Sequence, residues 1–293
     1  MIEIKRLTDC TMAEAVKAWN VGFEGYYFDA TTTPENFIKR MVSEDLSPSL
    51  SIVAFQDNQP VGIVMNGVRE VNGKKIAWNG GTGVATEVRS KGVGKLLMES
   101  TLSILKEEGI NIATLEAISD NSKAISLYEN RGYSIVDDLE YLGLKGSLQQ
   151  NPLNYSQGND FVERAAPQQI GHLPFYKDMN PWQTQWQSAK DGEGIIVKDA
   201  NGNELGYAYY RKTFNSEGIH VGTTLFQCEA KPDRTDAEEI ICFMLGEIFG
   251  DFKDDINRTI PNLPITKSKL TYTILKRIGF EPIAKQVYMV KEL

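Results

Sequence analysis

The stretch Arg89-Ser-Lys-Gly92-Val-Gly94-Lys95 sets three cations and two glycines at the head of an apolar run. Leu96, Leu97, Leu102 and Leu105 recur there at helical spacing and predict a helix over 93–108. Gly92 and Gly94 carry no Cβ, so a ligand can approach the backbone closely and positive φ costs little. N–H groups at a helix start point outward, where the dipole favours an anion. Arg89, Lys91 and Lys95 add positive charge. These residues suit a pyrophosphate; the plain structural alternative is a basic helix N-terminus. No Gly-Lys-Ser/Thr follows the glycines, which excludes a Walker loop, and Arg-x-x-Gly-x-Gly is not the G-x-G-x-x-G spacing of dinucleotide folds.

A second motif lies downstream: Leu115-Glu-Ala-Ile-Ser-Asp-Asn121-Ser-Lys-Ala124-Ile-Ser-Leu-Tyr128-Glu-Asn-Arg-Gly132-Tyr133. Together the two motifs resemble the GNAT family of N-acetyltransferases. The first is similar to its coenzyme A loop. The second is similar to its strand, Asn-x-x-Ala helix start, helical Tyr and Gly-aromatic ending. Thr86 departs from the pattern, since a proline is common in the approach to the loop; this touches strand-end geometry more than phosphate binding. The resemblance implies an α/β (α+β) fold, a mixed, mostly antiparallel twisted sheet flanked by helices. It also implies acetyl-CoA as cosubstrate, with direct transfer of the acetyl group to an amine of a small molecule or a peptide or protein N-terminus.

The same resemblance assigns roles. Thr82, Gly83 and Val84 at the strand end would meet the pantetheine and the acetyl carbonyl, with a backbone N–H near Val84 as oxyanion donor. Arg89, Ser90, Lys91, Gly92, Val93, Gly94 and Lys95 would hold the pyrophosphate. Asn121 would contact the pantetheine arm or brace the loop, and it also reads as a plain N-cap. Tyr128, two helical turns beyond Asn121, stands where the family has a general acid that protonates the departing thiolate; its structural alternative is a core tyrosine. By strand alternation Glu116 faces away from Leu115 and Ala117. It matches the position of a base in ribosomal-protein acetyltransferases of the family. A solvent-facing or loop-bracing glutamate, or a water relay without any single base, is the alternative.

Other elements must position these groups. A strand over 2–7 precedes a helix carrying Met12, Val16 and Trp19, which breaks near Gly22-Phe-Glu-Gly25. Glu24, Tyr26, Tyr27 and Asp29 then form an aromatic and acidic loop. They either contact the acceptor or belong to a loop that buries its aromatics against the sheet. Thr33-Pro34-Glu35 opens a second helix. A hairpin over 51–55 and 60–68 and a strand over 75–84 follow. Gly80 to Gly83 make that strand irregular, as at a bulge or a close backbone approach. In the family a splay beside this strand admits the pantetheine arm, which pairs with the backbone as an added strand would. A strand over 112–117, a helix over 121–130 and a hairpin over 133–136 and 139–144 complete a first domain at 1–146.

Periodicity is lost over 147–165, read as a linker. A second domain at 166–293 repeats part of the order: a hairpin about Asp199-Ala-Asn-Gly-Asn, a strand over 220–228, helices over 235–249 and 265–278, and a strand over 283–290. Gly279-Phe280 echoes Gly132-Tyr133, which suggests two tandem copies of one fold. The second copy reads as degenerate. Pro232-Asp-Arg-Thr-Asp-Ala-Glu-Glu239 replaces the glycine loop, and its carboxylates suit the helix dipole but repel a pyrophosphate. Ser268 stands where Asn121 does and Leu275 where Tyr128 does. No coenzyme and no catalytic tyrosine are expected in this half.

Composition narrows the class. With 41% hydrophobic and 24% charged residues, the chain reads as a soluble globular protein. Its net charge of −8 argues against nucleic acid or an anionic membrane as partner. It suits a cationic amine acceptor, although many soluble proteins are as acidic. The three cysteines form no Cys-x-x-Cys, and two histidines cannot build a usual zinc site, so no metal is expected. The N-terminus lacks a signal-peptide core, the sequon-like Asn154-Tyr-Ser and Asn257-Arg-Thr carry no weight without secretion, and a cytoplasmic location is expected. A non-catalytic coenzyme-A-binding sensor or scaffold, in which Tyr128 only packs, is the reading from another class. A nucleotide-binding module lacks both its lysine and its acidic ribose partner. Acceptor identity and oligomeric state stay open.

Overall fold

The computed structural model describes residues 1–153 and 160–293. The sequon at Asn154 and the middle of the expected linker lie outside the described residues. Two compact units result: Met1–Val136 together with Val287–Leu293, and Asp137–Gln286.

The first unit runs β1 (Ile2–Arg6), α1 (Met12–Gly22), α2 (Pro34–Ser43), β2 (Ile52–Gln56), β3 (Gln59–Val71), β4 (Lys74–Val84), α3 (Val93–Glu107), β5 (Ile112–Ile118) and α4 (Ser122–Glu129). The strands stand in that order, antiparallel up to β4, which pairs parallel with β5. Local chemistry starts each helix. Thr11 and Glu14 cap α1 reciprocally, Thr33 caps α2 with Pro34 behind it, and Asn121 caps α4. On one sheet face, Leu97, Met98 and Leu105 of α3 and Tyr128 of α4 pack with Ile52, Val64, Leu115 and Ala117. The other face receives α1, and glycines make that possible. A Cβ at Gly81 would lie 2.9 Å from the Trp19 ring, and one at Gly83 would lie 2.8 Å from the Phe23 ring.

Instead of the hairpin expected over 133–144, the chain forms one strand, β6 (Ser134–Lys145), and changes unit between Val136 and Asp137. Asp137-Asp138 looks like a solvent turn in sequence. It is not one, because Asp137 is buried and its carboxylate accepts from the Thr266 and Lys267 amides, both at 2.9 Å. Glu140, also buried, accepts from the Tyr272 hydroxyl at 3.1 Å.

The second unit continues with β7 (Phe161–Ala165), α5 (Pro167–Ile170), β8 (Glu193–Lys198), β9 (Glu204–Phe214), β10 (His220–Ala230), α6 (Ala237–Phe249), β11 (Asn257–Pro264), α7 (Lys269–Ile278) and the start of β12 (Glu281–Glu292), which from Val287 on belongs to the first unit. β7 falls inside the stretch expected to be linker and pairs antiparallel with β8. β11 precedes a helix shorter than the one expected over 265–278. Two prolines and an arginine hide this strand in sequence. Arg258 is fully buried, yet its guanidinium donates to the carbonyls of Gly146 at 2.8 Å and Asp254 at 3.0 Å. β10 and β11 pair parallel, as β4 and β5 do. Among the described residues, no helix is long and apolar enough to cross a membrane.

Candidate active site

The parallel ladder between β4 and β5 runs from Ile76↔Ile112 to Asn79↔Leu115 and stops there. Beyond it Gly80 to Val84 and Glu116 to Ile118 no longer pair, leaving an opening between the two strand ends. Gly80 is an extra residue against β3, a bulge between Met65 and Asn66 that bends β4 where the ladder ends. Backbone polarity then follows from register. The Ala85 amide donates to the Val61 carbonyl on β3 at 2.8 Å. Successive strand N–H groups point to opposite edges, so those of Val84 and Thr82 point into the opening.

From Val84 the chain makes a short 3-10 turn, Thr86–Val88, and reaches α3 through two residues of positive φ, Ser90 at 61° and Gly92 at 86°. Gly92 is the cap of α3 and brings no side chain to its first N–H groups. Ser90, Lys91, Gly92 and Lys95 are exposed around this helix start, while Val93 turns into the core. Gly92 must be glycine for its φ. Gly94 need not be, as far as the protein is concerned. It sits in the first turn of the helix, and a Cβ there would meet only Leu127 at 3.4 Å and Val84 at 3.8 Å, ordinary contacts. Arg89, expected on a pyrophosphate, instead donates from Nε to the Val84 carbonyl at 2.8 Å and from Nη2 to the carbonyls of Glu24 at 2.8 Å and Gly22 at 3.3 Å. It ties the strand end to the end of α1.

Inside the opening a polar chain ends on Tyr128. Asn79 Nδ2 donates to Thr82 Oγ1 at 2.8 Å, and its Oδ1 accepts the Gly81 amide at 3.0 Å. The Thr82 hydroxyl in turn hydrogen-bonds the Tyr128 phenol oxygen. Burial pushes the Tyr128 phenol up from its usual range, and the Thr82 bond opposes it. Tyr128 is therefore protonated at neutral pH. Residues 12–133 match the acetyltransferase (GNAT) family model. The first unit carries a GNAT acetyltransferase domain.

Solved structures bear out the fold. A GCN5-related N-acetyltransferase from Sphaerobacter thermophilus is 11% identical with a TM-score of 0.66, covering 100% of this chain and 95% of that one. A tandem GNAT protein from the clavulanic acid biosynthesis pathway is 10% identical with a TM-score of 0.62, over 100% and 98% of the two chains. A GCN5-related N-acetyltransferase from Anabaena variabilis is 13% identical with a TM-score of 0.60, over 99% and 72%. No curated protein matches the chain.

In the GNAT domain Asn121 serves two partners at once. Its Oδ1 caps α4 by accepting the Ala124 amide at 3.2 Å, and its side chain also hydrogen-bonds the Tyr26 phenol. Burial pushes that phenol up to about 12, with the neighbouring Tyr128 adding to the shift. Tyr26 thus comes from the loop after α1 to the mouth of the opening. Glu24, Tyr26 and Asp29, with Phe23 and Phe28, line a pocket of about 590 Å³. Asp29 is held below the usual carboxylate range by hydrogen bonds from the Thr31 side chain and amide, so it stays charged. Tyr27 lies outside that lining; it is exposed and packs edge-on against Tyr26. Glu116 stands on the face away from Leu115 and Ala117, half-buried, and accepts from the indole of Trp78 at 2.6 Å. Sequence reasoning missed Trp78. The only signal for it was its place on the strand that carries the glycines. No cluster of residues suited to a metal ion is found among the described residues.

Proposed function

We propose that the GNAT domain is an acetyl-CoA-dependent N-acetyltransferase, moving the acetyl group directly to the amine of a small molecule or of a peptide or protein N-terminus. The observation that carries this reading is the buried Tyr128 hydroxyl beside Thr82, at the head of a strand whose Val84 and Thr82 amides face the same opening. A strand end with unspent donors and a neutral acid next to it is what thioester aminolysis needs. Gly94 supports the coenzyme half of the reading: a Cβ there would make only ordinary contacts, so close packing does not itself demand glycine.

The acceptor amine would lose a proton toward Glu116, whose carboxylate stands on the acceptor side of the sheet. The amine lone pair attacks the thioester carbonyl carbon, and the carbonyl oxygen gains the negative charge. The Val84 or Thr82 N–H would stabilise that oxyanion. On collapse the C–S bond breaks, the nitrogen gives up its second proton to solvent as the neutral amide forms, and the thiolate takes the Tyr128 proton. The Thr82 hydroxyl then donates to the tyrosinate left behind, and solvent reprotonates it. The acidic and aromatic pocket about Glu24, Tyr26 and Asp29 suits a protonated amine on an apolar body. The test is release of free thiol from acetyl-CoA over a panel of cationic amines and N-terminal peptides, with the acetylated product identified by mass. Tight coenzyme binding with no thiol release on any member would support the sensor or scaffold reading instead.

A further inference from the structure

We propose that Trp78 is the positioning residue of Glu116: its indole N–H aims the carboxylate into the opening, where it would receive the amine proton. The proposal rests on the acetyl-transfer reading above. Three features of the strands build this contact. In the parallel register Trp78 faces Thr114, so Glu116 is the next residue along β5 on the same face, within diagonal reach of a long side chain. The last paired residue of β5 is Leu115, which makes Glu116 the first residue on that strand past the end of the ladder. Trp78 is buried to 3% exposure, and its Nε1 donates to Glu116 Oε2 at 2.6 Å.

The bulge explains why the indole lies where it does. A Cβ at Gly80 would stand 2.6 Å from Trp78 Cζ3 and 2.9 Å from Cη2, so only glycine leaves room for the ring along the strand. The Gly80 carbonyl is held from the other side by Arg40 Nη2 at 2.5 Å, and Arg40 is itself fixed by Glu44 at 2.9 Å and by stacking over Trp19. Tyr288 of β12, also buried, faces Glu116 as well. Burial first, and then the Glu116 charge, push its phenol up, so it stays neutral. An indole N–H can only donate. A carboxylate that accepts from it is favoured in the charged form, which is the form a base requires.

The test separates positioning from packing. Benzothienylalanine at position 78 keeps the shape of tryptophan but replaces N–H by sulfur, and Trp78→Phe is the genetic version. Wild type, each variant, Glu116→Gln and the combined variants are compared for thiol release and acetyl-CoA affinity, with indole ¹⁵N–¹H spectra recorded on the free protein. Glu116→Gln should lower kcat about 10²-fold. Removing the Trp78 N–H should lower kcat about tenfold with KM for acetyl-CoA unchanged, and it should cost nothing further in the Glu116→Gln background. The Trp78 indole resonance should shift when Glu116 becomes Gln. Equal losses in both backgrounds, a wild-type kcat for the analogue, or an unshifted resonance would overturn the proposal and leave acetyl transfer standing. An intact resonance shift with no thiol release from wild type on any amine would overturn the acetyl-transfer reading, and the positioning role with it.

Discussion

β4 and β10 end alike, and the residues at their ends differ in kind. Val84 pairs with Gly62 and Ala230 with Gly206. A Cβ on Gly62 would stand 3.0 Å from both the Gly83 carbonyl and Leu97 of α3; one on Gly206 would stand 3.0 Å from the Glu229 carbonyl and 2.8 Å from Ile240 of α6. The two glycines do the same job, letting a helix close over the strand end, and they fix the equivalence. Gly83 corresponds to Glu229, and Thr82 to Cys228. In the second unit the parallel ladder also stops early, at Thr224↔Thr259. There the polar groups satisfy one another. Glu229 is buried and accepts from Lys177 Nζ at 2.7 Å and from Ser268 Oγ at 2.5 Å. Ser268 leads α7 as Asn121 leads α4, and Leu275 is fully buried where Tyr128 carries a hydroxyl. At the head of α6, Arg234 is locked onto Asp236 at 2.6 Å, and Glu238 and Glu239 fill the first turn. One strand end turns two backbone amides into the opening and uses its glycines to admit aromatic rings, and the other has spent its polar groups on its own stability.

The sharpest break of this contrast is a coenzyme stoichiometry other than one per chain. Calorimetry should find a single acetyl-CoA site, removed by Gly94→Val, which should weaken binding at least 10²-fold while leaving the thermal midpoint within a few degrees. A Cβ at this position makes only ordinary contacts, so lost affinity with kept stability locates the ligand over α3. Two sites, or one site that survives Gly94→Val, would place the coenzyme elsewhere.

Next comes the acid. Tyr128→Phe should lower turnover about 10²-fold with coenzyme affinity nearly unchanged. A core tyrosine would give the opposite pattern, lost stability and wild-type turnover in the folded fraction.

What the sequence made legible is the part that local chemistry writes. The glycine loop, the Asn121 cap and the Tyr128 spacing are patterns of neighbours along the chain, and the structure brings Thr82, Tyr26, Asn121 and Tyr128 to one opening. What it hid depends on distant partners. Asp137 reads as a turn until the amides of Thr266 and Lys267 are known. Arg258 reads as surface until the carbonyls around it are placed. Arg89 reads as a phosphate ligand, although it donates to the Val84 carbonyl and to carbonyls at the end of α1. Gly83 reads as ligand-facing, yet Phe23 already requires it, as Trp19 requires Gly81. The Trp78–Glu116 bond needs the parallel register and the bulge together, and neither shows in composition or periodicity.

On the second strand end, the effect falls on stability instead of catalysis. Lys177→Met should destabilise the second unit by about 3 kcal/mol, the scale of a broken buried ion pair, and leave acetyl-CoA affinity unchanged. Burial raises the Glu229 carboxyl, and Lys177 opposes that rise. Without Lys177 the raised value climbs further. A raised carboxyl contributes stability that is present at low pH and is lost as pH rises through its folded value. The variant should therefore lose more stability at pH 8 than at pH 5, and denaturant titration at the two values reads this directly. A pH-independent loss would mean Glu229 stays ionised on Ser268 alone.

The smallest effect probes how closely the acceptor wall is joined to the coenzyme side. Tyr26→Phe removes one hydroxyl and its bond to Asn121, while Asn121 keeps its cap on Ala124. A net hydrogen bond is worth about 1 kcal/mol, so KM for acetyl-CoA should move by no more than about fivefold and the fold should be untouched. The aromatic packing of Tyr26 with Phe23 and Phe28 survives the change, which keeps the loop in place. If the acceptor KM moves instead and the coenzyme KM does not, the hydroxyl faces the amine, and Asn121 is only its anchor. If neither moves, the bond is a packing detail, and α4 holds its place by the cap alone. A loss beyond tenfold in the coenzyme term would put Tyr26 in direct contact with the pantetheine arm, and the two sides of the opening would then work as one wall.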